Sequence, residues 1–555
     1  MVFAETRDGI IKALRRGHVY ITDSPDGPHL EIAIGEAPMG GIAASSTGVE
    51  LFIAAKGAAG DELRLVAQTG VLTRLTIPTD EWQHTIPLPS QSIFADKKPM
   101  RQQFEGRLSV AQMASHVGHE FEVPEGTGTL RLRFEHDPRH PGVGDIPHQL
   151  SISVYGPNGP RGTRHNNADQ SPVISTGFAS PGYLAGPIEP GTWRVEIDVH
   201  RLLPPGDVSY TIDVMTDEGE AIAEKTITPQ SGQKKRGPGW YKGDLHGHTI
   251  HSDADLEVSD YLELALSRGF DFVALTDHNT VSGIRELEAR AGNAITIIGG
   301  TELTTFHGHA LVLSTRDLVD WRIRDKETMS ARAAEVARDG KLFIIAHPKA
   351  EGHPFCTGCR WAYSDMLPGP ARHVEIWNRE WRPCAGNEQA IGVFYRWLNE
   401  GYRMVATAGT DTHRPSPESA RLAANYVYAE DNTEAALLAA ISSGRSFVSS
   451  GPFVSFSATT HDGLSAQMGE VADQGTLCLE MSWRAETPAS DLTGLTARLI
   501  CRGEIIETWD CAETSEAQSS LGAKNGDWFT LELRDHRGAL YALTNPIFVG
   551  VPERE

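Results

Sequence analysis

The residues best equipped for chemistry in this chain lie between His246 and His413. The run Asp244-Leu-His246-Gly-His248-Thr-Ile-His-Ser-Asp253 sets two imidazoles one residue apart. Side chains alternate along a strand, so His246 and His248 at a strand end point to the same side and can grip one divalent ion. Asp253, five residues on in a loop, can add an oxygen ligand to that ion or to a neighbour. The same residue types return in Thr276-Asp277-His278-Asn279, Gly300-Thr301-Glu302, Phe306-His307-Gly308-His309, Ala346-His347-Pro348 and Gly409-Thr410-Asp411-Thr412-His413. A single strand-end His is most often a hydrogen-bonded structural residue. The whole ordered set within one region points to a metal centre.

The elements that must carry these residues are legible in the patterning. From Trp240 the apolar runs FVALT, AITIIGG, ALVLS, LFIIAH, VEIWN and MVATAGT alternate with helical stretches such as VSDYLELALSRG and ETMSARAAEVARDG. That alternation predicts βα units in a parallel sheet or barrel, whose strand ends meet on one face. Before residue 235 the segments LRLRF, QLSISVYG and WRVEIDVH predict β-sandwich material, and PQSGQKKRGPG, from Pro229 to Gly239, reads as a linker. After Phe453 the segments LCLEMSW, ARLICRG and FTLELRD predict a second small β domain. Thr6 to Pro25 aligns without gaps on Thr433 to Pro452 at a constant offset of 427, and Met39-Gly40 and Met468-Gly469 follow at nearly the same distance. Both ends therefore read as copies of one module, although helix–Gly–strand is a common arrangement. The expected order is a β-rich module at 1–105, a sandwich-like domain and linker at 106–235, the metal-bearing region at 236–451 and a C-terminal β domain at 452–555.

At 555 residues the chain is long enough for two to four domains. A formal charge of −23 works against a track that would neutralise a nucleic-acid backbone. No segment has the apolar length of a signal core or a membrane span, so a cytoplasmic location and no membrane partner are expected. Six cysteines in so long a chain make no disulfide framework, and free thiols fit a reducing compartment. Cys356 and Cys359 form a lone CxxC, which lacks the second half of a metal site.

From about Trp240 to Pro452 the chain resembles the polymerase and histidinol phosphatase (PHP) family. The spacing of DLHGHTIHSD and the later GRSFVSSGPF, together with the tail LTNPIFV, look like its carbaryl-hydrolase-like (CehA/McbA) branch. The resemblance implies a distorted (β/α)7 barrel with two or three metal ions, hence a multidomain α/β plus all-β chain with β-sandwich-like flanks. Carried over residue by residue, it gives His246, His248, Asp411 and a bridging Glu302 to a first ion, and Asp253, His278 and His413 to a second. His309 and His347, with Glu302, match a third position. His309 is preferred to His307 because it directly precedes ALVLS. Ala254 stands where many relatives have Gly, and His251 and His307 could exchange roles with their neighbours.

Mixed imidazole and carboxylate ligands suit Zn, Mn, Fe or Co. Two such ions about 3.5 to 4 Å apart would bring the pKa of a shared water toward ~7. Asp411 could then orient the attacking water, and His413 or a displaced metal-bound water protonate the leaving oxygen. Lys349, Arg360, Arg379, Arg382 and Arg414 follow the ligand-bearing strands, where cations could clamp a phosphoryl oxygen. Trp361, Tyr363, Trp377 and Trp381 share those loops and could instead line an aromatic slot. The leading expectation is a phosphoesterase on a small-molecule phosphate ester, with no nucleic-acid partner and a homo-oligomer left open. The alternatives are a carbamate or carboxylic ester hydrolase, and a metal-stabilised binding protein without catalysis.

Overall fold

In the computed structural model the described residues are 28–550, apart from 35–36, 39–49, 68–69, 88–99, 141–145, 166–169, 205, 219–226, 228, 324, 364–370, 382–385, 416–420 and 487–491. Thr6 to Pro25 and Met39-Gly40, which suggested the internal copy, lie outside the described residues. The chain is multidomain and strand-rich, with few helices. It divides into two compact units, Met1–Met100 with Thr216–Glu220, and Arg101–Met215 with Ala221–Glu555.

The first unit orders its strands Ala37–Pro38, His29–Ile34, Glu50–Lys56, Glu81–Pro87, with a separate hairpin of Glu62–Ala67 and Gly70–Thr76. The C-terminal part of the second unit orders Ser465–Gln467, Pro452–Thr460, Gly475–Ala485, Glu516–Ala523, with a hairpin of Leu495–Cys501 and Glu504–Asp510. In chain order both run second, first, third, last, with the hairpin between third and last.

Within the second unit, two four-stranded sheets form between Arg101 and Asp217. One orders Gly159–Thr163, Gln149–Gly156, Gly191–Arg201, Ser115–Val123, and the other Val173–Ser175, Thr129–Asp137, Val208–Asp217, Arg101–Leu108. Period-two alternation turns Leu150, Ile152, Val154, Val195, Ile197 and Val199 to one face of the first sheet, all fully buried. The opposite face carries Ser151, Ser153, Glu196, Asp198 and His200, which are also buried. The polar stretch after Pro229 has no regular structure and is tied down by Lys235 to Asp271 (2.9 Å) and Arg236 to Asp431 (3.0 Å).

The region carrying the His and carboxylate motifs follows as β1 (Gly239–Asp244), α1 (Val258–Ser267), β2 (Phe272–Leu275), α2 (Ile284–Ala291), β3 (Thr296–Thr304), β4 (His309–Leu313), α3 (Lys326–Arg338), β5 (Leu342–Ile345), β6 (His373–Asn378), α4 (Asn387–Asn399), β7 (Val405–Gly409), β8 (Ala424–Ala429), α5 (Glu434–Ser442) and β9 (Ser446–Ser449). The helices form where apolar residues recur at helical spacing: α1 buries Val258, Tyr261, Leu262 and Ala265. Asp325 caps α3 by accepting from Thr328 N at 2.8 Å.

The seven strands β1 to β7 are hydrogen-bonded in chain order. The pairs β1/β2, β2/β3, β5/β6 and β6/β7 are parallel, as expected, whereas β4 runs antiparallel to both β3 and β5. Just beyond the two outer strands the chain meets itself: Asp411 N donates to His246 O (2.9 Å) and His248 N to Thr412 O (3.0 Å). The free edge of β7 is satisfied by side-chain amides. Asn425 takes Ala408 N and O (3.0 and 2.7 Å), and Asn545 takes Ala406 N and O (2.7 and 3.2 Å). The other edge continues through β8 and β9 into Leu540–Thr544, so the C-terminal β domain shares this sheet. Among the described residues the sheet is thus curled, mixed and open in its hydrogen-bonded path.

Candidate metal centre

The loop after β1 is fixed by two buried carboxylates. Asp244 Oδ1 accepts from His246 N (3.2 Å) and Thr410 N (3.0 Å), tying the end of β1 to the end of β7. Asp277 accepts from Thr249 N (2.8 Å), Thr249 Oγ1 (2.7 Å) and Ser252 Oγ (2.7 Å), fixing the turn that leads to Asp253. Gly247 must lack a side chain, because a Cβ there would collide with the Tyr261 ring beneath it. Asn279, His347, Arg379 and Asp411 all have positive φ (53°, 26°, 58° and 47°), a strained conformation for residues with a Cβ, and all border the same site.

Each of the seven strands delivers a side chain. Glu302 is the hub: its Oε2 lies 3.0 Å from His278 Nδ1, 3.2 Å from His246 Nε2 and 3.3 Å from His248 Nε2. Its Oε1 lies 2.9 Å from His347 Nε2 and 3.0 Å from His309 Nδ1. Asp411 Oδ1 is 3.1 Å from His248 Nε2 and 3.5 Å from His246 Nε2. Asp253 Oδ1 is 3.1 Å from His413 Nε2 and 3.5 Å from His278 Nε2. Two overlapping groups result, His246–His248–Glu302–Asp411 and His248–Asp253–His278–His413, each with its ligand atoms close enough for one ion. His309 and His347 both meet Glu302 Oε1, and around the same centre His278–Glu302–His309 and His246–His347–Glu375 are groups that could hold a further ion. Because β4 is antiparallel, its first residue, His309, sits at the end of the sheet where the parallel strands terminate.

The donor set fits divalent cations. Glu302 Oε2 and Asp253 Oδ1 are buried and make no hydrogen bond, although each lies within 3.5 Å of ring nitrogens. Lone pairs crowded in this way, without protons directed between them, are what a cation satisfies. Burial alone would raise the Glu302 and Asp411 carboxyls. His246, His278 and His309 around Glu302 hold it well below the usual range, and Arg379, His246 and His413 do the same for Asp411. Burial would lower His413, but Asp253 and Asp411 outweigh it and hold the imidazole up at about 9.

His251 turns away, with Nδ1 2.7 Å from Ser282 Oγ, and His307 stands edge-on to Tyr363. His309, not His307, reaches the cluster. Ala254 is buried without displacing Asp253. Of the expected cations, Arg379 reaches the centre, its Nε and Nη2 each 2.9 Å from Asp411 Oδ2. Arg360 instead donates to Ala350 O (3.2 Å) and Lys349 is half-buried. Arg414 faces away in an exposed pair with Asp255 (2.8 Å), because the chain turns outward after His413. Arg382 lies outside the described residues. Trp361, Tyr363 and Trp377 are buried in the core around α3 and α4, so they form no open slot. Cys356 and Cys359 are joined in a disulfide, correcting the expectation of free thiols at these two positions, whereas Cys478, Cys501 and Cys511 are free; Cys359 O accepts from His347 Nδ1 (3.0 Å).

Glu375 in β6 escaped the sequence reading. It is buried, with Oε1 3.0 Å from His246 Nδ1, and Oε2 accepting from His347 N (2.9 Å) and Asn378 Nδ2 (3.1 Å). A lone carboxylate in the apolar strand HVEIWN was the available signal. Beside the centre, a cavity of about 630 Å³ is lined by His347, Glu351, Phe355, Asn378, Arg379 and Asp411, among others.

Residues 244–349 match the PHP domain. An uncharacterized protein of Methanocaldococcus jannaschii is 29% identical over 172 residues, covering 28% of this chain and 93% of that protein. A 5'-3' exoribonuclease of Haemophilus influenzae is 38% identical over 65 residues, only 12% of this chain and 24% of that enzyme. Among solved structures, a two-domain protein from Bacteroides vulgatus containing a predicted PHP-like metal-dependent phosphoesterase aligns over 60% of this chain and 98% of that one, at 13% identity and a TM-score of 0.31. A likeness that low carries no argument about activity. The PHP match begins at Asp244 and takes in His246 through His347, while Glu375, Asp411 and His413 lie beyond it.

Proposed function

We propose that this chain is a metal-dependent phosphoesterase acting on small phosphate esters, with a two- or three-ion centre held by His246, His248, Asp253, His278, Glu302, His309, His347, Asp411 and His413. The observation that carries the reading is the convergence of five imidazoles on the two oxygens of buried Glu302, with neighbouring lone pairs left unmatched. Zn, Mn, Fe or Co bound there would polarise the ester and supply hydroxide at neutral pH. Glu302 joins the ligand groups, Asp411 orients the nucleophile on the side facing Arg379, and His413 serves as a neutral ligand once an ion enters its group, so the leaving oxygen takes its proton from water. Arg379 beside Asp411 clamps a phosphoryl oxygen. That contact favours phosphate over carbamate, because Trp361, Tyr363 and Trp377, three of the four aromatic residues that could have lined a carbamate slot, are buried in the core, while Trp381 is partly buried against it.

The curled sheet is read as a distorted (β/α)7 PHP barrel between β-sandwich-like flanks, with boundaries near residues 105, 235 and 451. The partially matching exoribonuclease keeps a phosphodiester within the range of substrates, although the net charge of −23 argues against a long nucleic acid. The test is hydrolysis of aryl phosphate, aryl phosphodiester, a short RNA and aryl carbamate by metal-loaded protein, with Asp411→Asn alongside. Preference for the monoester, lost in the variant, is expected. A carbamate preference, or activity that survives in Asp411→Asn, contradicts the proposal.

A further inference from the structure

The outer face of a β-sandwich sheet ordinarily meets water, but here it meets the metal centre. On that face His116 lies in register with Asp198 and Ser151, and Gly118 with Glu196 and Ser153. Of these, Ser151, Ser153, Glu196 and Asp198 are at most 6% exposed, and so is His200. The face is covered by loops of the metal-bearing region. The His116 and His200 rings lie 4.9 and 5.3 Å from that of Phe306. Gly182 N donates to Ser282 Oγ (3.0 Å), and Thr280 Oγ1 donates to Gly182 O (2.9 Å), immediately after His278-Asn279. The chain following the edge strand Gly159–Thr163 brings His165 against the centre itself: its ring is 4.8 Å from that of His278 and 4.4 Å from that of His200.

His165 is held from behind, its Nε2 2.8 Å from Gln149 Nε2, and its buried Nδ1 has no hydrogen-bond partner. An amide that fixes one ring nitrogen fixes the rotation of the whole ring. The fixed ring in turn limits the rotation of His278 packed against it, and His278 is one of the four side chains of the Asp253 group.

We propose that the β-sandwich is an integral wall of the active centre and that its His165, anchored by Gln149, is a positioning residue for His278. His165 sets the affinity and geometry of the ion in the His248–Asp253–His278–His413 group and leaves the His246–His248–Glu302–Asp411 group alone. The inference rests on the metal-ligand reading above. Its test reads metal binding rather than turnover.

Co2+ is titrated into the full-length wild type, His165→Ala, His165→Phe and Gln149→Leu, and both the stoichiometry and the visible spectrum of each bound ion are followed. In His165→Ala the second ion should bind about 10- to 100-fold more weakly with an altered spectrum, the first being unchanged. His165→Phe keeps a ring without the Gln149 contact and should show a smaller loss confined to the same ion, as should Gln149→Leu. If His165→Ala does not fold, His165→Phe and Gln149→Leu decide alone. Two ions bound as in wild type, in whichever of these variants fold, overturn the proposal. A wild type that binds no divalent ion instead overturns the ligand reading, and a wild type that binds ions without hydrolysing esters overturns only the proposed activity.

Discussion

Glu375→Gln isolates the carboxylate behind the first histidine of the centre. Glu375 accepts three hydrogen bonds in a buried site, from His246 Nδ1, His347 N and Asn378 Nδ2, at 3.0, 2.9 and 3.1 Å. The amide keeps one acceptor oxygen and turns an NH2 group toward donors on the other side. At least one donor is then left facing a donor, whichever way the amide is flipped. His246 also loses the negative charge that steadies its N–H and sharpens the basicity of Nε2. Partners of this kind are worth 10- to 100-fold in metal affinity, about 1.4–2.8 kcal/mol. Burial tends to lower the His246 imidazole, but Glu375 heads the carboxylates that hold it well above its ordinary range, so a loss within that interval is expected. Competition with a chromophoric chelator at neutral pH measures the affinity, with circular dichroism as the check on folding. A folded variant that binds metal within threefold of wild type would refute the argument that Glu375 orients a ligand.

Gly409→Ala places a methyl against Glu375 Oε1 and His246 Cβ, so it should cost about 1–3 kcal/mol in thermal unfolding and lower metal content; an unchanged melt would show that the β7 edge can move. His413 is held up at about 9, so an ion entering its group displaces a proton below that pH; affinity should fall about tenfold per unit as pH drops from 9 toward 7, and a flat profile in Co2+ titrations would exclude His413 as a ligand. His373, in β6, is depressed by burial to about 4, so its unfolded form binds the proton more readily; its contribution is present above about 6.5 and lost as pH falls toward 4. Near pH 5 that loss is about 2 kcal/mol, and urea melts at pH 7 and 5 should differ less by that amount in His373→Gln.

The cluster of imidazoles and carboxylates was legible because its members are short motifs at strand ends, where period-two alternation and sheet topology leave few choices. His309 is preferred to His307 in the sequence because it directly precedes ALVLS, as the family resemblance requires. The geometry adds the reason, an antiparallel β4 that begins where its neighbours end. Glu375 was overlooked because in VEIWN it has the local context of a core strand, and the neighbours that give it a role, His246 and Asn378, belong to other parts of the pattern or to no pattern. His165 had no local signal, since its importance arises from one domain packing on another. The loop cations show the same limit: Arg379 and Arg414 look alike in sequence, yet one turns to Asp411 and the other to Asp255 on the surface.

The most direct test of the central claim is the metal content of the purified full chain, wild type against Glu302→Gln. Glu302 meets His246, His248, His278, His309 and His347, so one substitution should reach every ligand group through its hub. At least two divalent ions per wild-type chain, with more than one lost in the variant, is the predicted result. A wild type without divalent metal, or a folded Glu302→Gln protein that keeps its full complement, would contradict the account.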